Sequence, residues 1–117
     1  MTRPLALAAL VVAATAGISC AARADDAANE AIWKRYWMAI DAQRQCTGAA
    51  FTQAQLDAMV QVIDRKVNYE VGAGRGHLLM NEASAAVSDM AFKYGCKGPE
   101  LGELLTLFEN DLAPALR

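Results

Sequence analysis

Four apolar stripes at helical spacing, each closed by glycine or proline, constrain the fold more than any other feature of this sequence. Ile32, Trp33, Tyr36, Trp37 and Ile40 recur at steps of one, three and four, which places them on one face of an α-helix. Lys34, Arg35, Asp41 and Arg44 fall largely on the other face. The pattern predicts a first helix from about Ala27 to Gln45, stopped at Thr47-Gly48 because glycine is a usual helix terminator. A second helix starts at Thr52, where Gln55 three residues on completes a capping box that satisfies orphan backbone N–H groups. Its stripe is Leu56, Met59, Val60, Ile63 and Val67, and its expected end is Gly72. A third helix is expected from about Gly76 to Tyr94, with Leu79, Ala83, Ala86, Val87, Met90 and Tyr94 on one side and Gly95 as its stop. Pro99, a favoured first-turn residue, opens a fourth helix carrying Leu101, Leu104, Leu105, Phe108 and Leu112, and Pro114 ends it. Period-two alternation is absent, so strands are not expected. The fold class is all-α, a four-helix up-down bundle-like domain.

The first 24 residues read as an address. Arg3 supplies a positive start, Leu5 to Ser19 is uncharged and apolar, and Ala22-Arg23-Ala24 puts small residues two apart before Asp25-Asp26. Those are the parts of a cleaved secretory signal peptide. The run is shorter than the roughly 20 residues needed to span a bilayer, so no membrane span is expected. The chain divides into a signal peptide at 1–24 and a helical domain at 25–117, exported to the periplasm. A lipid anchor on Cys20 is the less favoured reading, since Gly17 stands where lipoprotein signals carry a large aliphatic.

Removing Cys20 with the leader leaves Cys46 and Cys96, an even pair in an oxidising compartment. Cys46 ends the first helix and Cys96 follows the third. In an up-down bundle those two ends share a side, so a bridge is geometrically sensible. Closing a loop of about 50 residues stabilises the fold by roughly 4 kcal/mol on the chain-entropy account. For a small domain with a limited core, that term matters.

Charge excludes one class of partner. Arg3 and Arg23 fall in the leader, leaving nine basic against 13 acidic side chains, a net −4. Nucleic-acid binding rests on Lys and Arg neutralising phosphates, and no basic block is present. Catalytic and cofactor signatures are also missing. His77 is the only histidine, and zinc sites need three or four converging ligands. No Cys-x-x-Cys redox pair and no Cys-x-x-Cys-His haem attachment site occurs. Asp57 and Asp64 share one outer helix face rather than facing each other across a cleft, as glycoside hydrolysis requires. Gly72-Ala73-Gly74-Arg75-Gly76 precedes a helix but follows no strand, so it matches neither phosphate-binding fingerprint. It reads as a flexible, exposed connection. We therefore expect no enzyme activity, no metal and no resident cofactor.

What remains is contact with another protein. Trp33, Tyr36 and Trp37 crowd one helix, and such residues serve both as interface anchors and as bundle core. Arg75 and His77 add polar groups near the glycine-rich segment, and Asn68, Tyr69 and Glu70 would extend the same surface. These five residues, Trp33, Tyr36, Trp37, Arg75 and His77, are the candidate partner-binding set.

The leader, the Cys46–Cys96 pair with 49 residues between, and the helix from Pro99 to Leu112 together resemble the small periplasmic acid-stress chaperones of Gram-negative bacteria. The resemblance covers the architecture of residues 25–117. It implies a protein that binds unfolding clients through apolar surfaces exposed on acidification. Protonating all 13 carboxylates would carry this domain to about +10, and self-repulsion would loosen its packing. Three functions follow as expectations. The first is a non-catalytic envelope binding protein, whether accessory subunit, inhibitor or immunity-type module. The second is an acid-activated chaperone. The third is a carrier of a lipid, haem or other small ligand.

Overall fold

The computed structural model describes residues 25–117 in full and, over 3–24, only the backbone as it enters the first helix. The signal-peptide reading of residues 1–24 and the question of Cys20 therefore lie outside the described residues. Four helices follow in order: α1 (Arg3–Thr47), α2 (Gln53–Lys66), α3 (Ala73–Tyr94) and α4 (Pro99–Leu107). A π-helical turn at Phe108–Leu112 and a 3₁₀ turn at Ala113–Leu116 complete the chain. No strand occurs among the described residues. Cys46 and Cys96 form a disulfide, with their Cα atoms 5.5 Å apart.

α1 is the hub. It packs most extensively on α3, then on α4 and α2, while α2 and α3 do not pack on each other. In a simple up-down bundle consecutive helices are neighbours and the first and third lie across the diagonal. Here the α1–α3 pair is the main contact, so the bundle reading needs that amendment. The two helices run in the same direction, because Trp33 meets Gly76, Gln45 meets Ser88, and Cys46 meets Cys96.

Being surrounded, α1 is buried on every side over Ala39–Gln43. This overturns the placement of Asp41 on a solvated face. Asp41 is only 8% exposed. Burial pushes its carboxyl up from the usual range, against the pull of Arg44, whose guanidinium sits 3.3 Å away. Around the hub lie Met59, Ile63 and Val67 of the α2 side, Leu79, Ala83 and Val87 of α3, and Leu101 and Leu104 of α4. Burying each such Leu, Ile, Val or Met fully is worth about 1.5–3 kcal/mol.

Local signals explain most boundaries. The Thr52 hydroxyl accepts from the Gln55 backbone N–H and Gln55 Oε1 accepts from the Thr52 backbone N–H, so the capping box is complete. Gly48 and Gly95 both adopt φ of +70°, the conformation that ends a helix most cheaply when the residue is glycine. Other boundaries differ from expectation: α1 begins at Arg3 rather than near Ala27, and α4 gives way to the π-helical turn after Leu107 instead of running on to Pro114. α2 ends at Lys66 instead of running on to Gly72, because Asn68 and Tyr69 turn left-handed at φ 52° and 59°. The Tyr69 N–H closes that turn on the Asp64 carbonyl at 2.8 Å. α3 begins at Ala73, so Gly74 and Gly76 are helical and the glycine-rich segment is not a loose loop. At the far end Pro114 opens a 3₁₀ turn, where its missing N–H has no intrahelical partner to lose.

Candidate interaction surface

The five candidate residues separate. Trp33, Tyr36 and Trp37 all belong to the core. The structure thus corrects their assignment to a partner-facing surface: α1 is enclosed, and large rings fill the space between it and its neighbours. The Trp33 indole N–H donates to the Gly76 carbonyl at 3.3 Å. A Cβ on Gly76 would stand 2.9 Å from Cζ2 of that ring, so the absence of a side chain there lets α3 approach α1. The Tyr36 hydroxyl donates to Oδ2 of Asp111 at 2.5 Å, and Lys66 Nζ approaches the same carboxylate at 4.0 Å. Burial, then the bond to Asp111 and its negative charge, push the Tyr36 phenol up to about 12, while Arg35 opposes them. This contact joins α1 to the π-helical turn. The Trp37 indole N–H is buried with no hydrogen-bond partner among the described residues.

Arg75 and His77 are exposed, as a surface role requires. Arg75, in the first turn of α3, pairs with Glu30 of α1. His77 follows two residues on in α3, likewise exposed.

The apolar surface lies where the sequence reading did not place it. Phe92 is 91% exposed and Leu78 is 54% exposed. With Ala85 they stand seven residues apart along α3, on the line turned away from the core residues Leu79, Ala83 and Val87. Asn81, also exposed, lies beside this line, whereas Ser88 sits at its flank and reaches back to Gln45 of α1. Tyr94, expected in the core stripe of this helix, is exposed instead. Tyr69 is 68% exposed on the left-handed turn before α3. The signal that could have found this face was present. Two large apolar residues at 78 and 92 fall off the apolar stripe of an otherwise regular amphipathic helix. Apolar residues that share an exposed face mark contact sites more often than isolated ones do.

Electrostatically this face is quiet. Glu82 pairs with Lys34 at 3.7 Å and Asp89 with Lys93 at 3.0 Å, so its flanking carboxylates are already matched. No group of three His, Cys, Asp or Glu side chains among the described residues is arranged to hold a metal ion. An apolar recess between the end of α3 and the start of α4, lined by Met90, Tyr94, Gly98, Pro99 and Leu101, encloses about 90 Å³. Ligand pockets typically measure about 300–1,000 Å³. The recess has room for one small side chain, not for haem or a lipid. None of the described helices is long and apolar enough to cross a membrane. The disulfide fits an oxidising compartment such as the periplasm or the cell exterior.

No family model, no curated protein and no solved structure matches this chain.

Proposed function

We propose that this is a non-catalytic binding protein of the cell envelope, exported by residues 1–24, that acts through contact with another protein. The outer face of α3 is the contact surface, and its partner is a larger envelope protein to which this domain serves as accessory subunit, inhibitor or immunity-type module. One observation carries the reading: Phe92 and Leu78 stand in solvent on one line of a helix whose opposite face is engaged with α1. Aromatic residues, phenylalanine among them, are enriched at protein interfaces relative to the rest of the surface.

The test compares the wild type with the double variant Leu78→Asp/Phe92→Asp. Both positions are solvent-exposed, so the variant is expected to stay folded, with a melting temperature lowered only by the weaker helix propensity of aspartate. Tagged protein is used to capture envelope proteins at pH 7. The expected result is one partner in near-equal amount with the wild type and its loss with the variant. Equal capture by both would remove this face from the reading. A broad client set seen only near pH 3 would replace the reading with the chaperone one.

A further inference from the structure

No further inference is drawn: the strongest candidate, the open groove that Asp25, Asp26 and Glu70 line between α1 and the α2–α3 turn, is a cluster of exposed carboxylates with nothing beside it that identifies a ligand.

Discussion

Alanine at Gly74 should stabilise this protein, and alanine at Gly76 should destabilise it. Both glycines lie in the first turns of α3, so both substitutions gain the same helix-forming term, about 0.5–1 kcal/mol. Their surroundings differ. Nothing lies within 4 Å of a Cβ built on Gly74. On Gly76 that atom would meet Cζ2 and Cε2 of Trp33 at 2.9 and 3.2 Å. Carbon atoms prefer separations of about 3.5–4.0 Å, so the indole would have to retreat by about 0.6 Å or more. It is buried, and its N–H is bonded to the Gly76 carbonyl. Overpacking of this kind costs about 1–3 kcal/mol. The helix term cancels in the difference between the two variants, so that difference reports the ring contact alone, again about 1–3 kcal/mol. At roughly 4–8 °C per kcal/mol for a domain of this size, the two melting temperatures should differ by at least about 4 °C. Urea denaturation gives the same quantity with an independent probe. Adding Trp33→Phe should recover part of the loss at Gly76 and nothing at Gly74, which a double-mutant cycle measures. Equal stability of Gly74→Ala and Gly76→Ala would refute the close approach of α3 to Trp33.

Further outcomes follow from the same contacts. Cys46→Ser, or reduction of the bridge, should cost about 4 kcal/mol on the chain-entropy account of a 50-residue loop; an unchanged urea midpoint would contradict it. Tyr36 is held protonated to about pH 12, against 10.0 in a free side chain. A raised folded value means that its contribution is complete below pH 10 and lost as pH rises through 12, by no more than about 3 kcal/mol. Tyr36→Phe should therefore flatten the stability profile across that alkaline window, and an unaltered slope would count against the Tyr36–Asp111 bond. Asp41 titrates above 3.8 because of burial, so its favourable contribution is complete below that value and fades as pH rises through the higher folded one. The stability of Asp41→Asn relative to the wild type should accordingly grow between pH 3 and pH 7; a constant difference would show that burial does not govern this carboxyl.

Helix existence was legible because its signals are local. The Thr52–Gln55 capping box, the stops at Gly48 and Gly95, and the opening at Pro99 all lie within a few residues of what they determine. The cysteine pairing was legible because the leader reading left only two cysteines to join. Depth was harder. Apolar periodicity assumes a helix with one wet side, and α1 has none over Ala39–Gln43, so Asp41 was assigned to solvent. The role of Gly76 depends on a ring 43 residues away. A run of glycines looks flexible until the partner that needs their smallness is in place. The switch to π-helical geometry at Phe108 leaves no mark in the apolar pattern, since Phe108 and Leu112 are buried as an α-helix would also bury them. The candidate surface was missed for a related reason. The aromatic cluster at 33–37 is the louder signal in the sequence, whereas the informative residues are the two apolar side chains that break the pattern of α3.

The central position of α1 also sets the order in which this chain can assemble. α2 and α3 do not pack on each other, so neither can build a stable intermediate without the helix that precedes both. α1 is synthesised first, yet one of its bonds, from Tyr36, closes on Asp111, 75 residues later. Such distant pairings are slow to form, because the chain entropy between them must be given up before the contact rewards it. The α1–α3 pair can therefore form before α4 is available, but the core is complete only once α4 and Asp111 have reached α1.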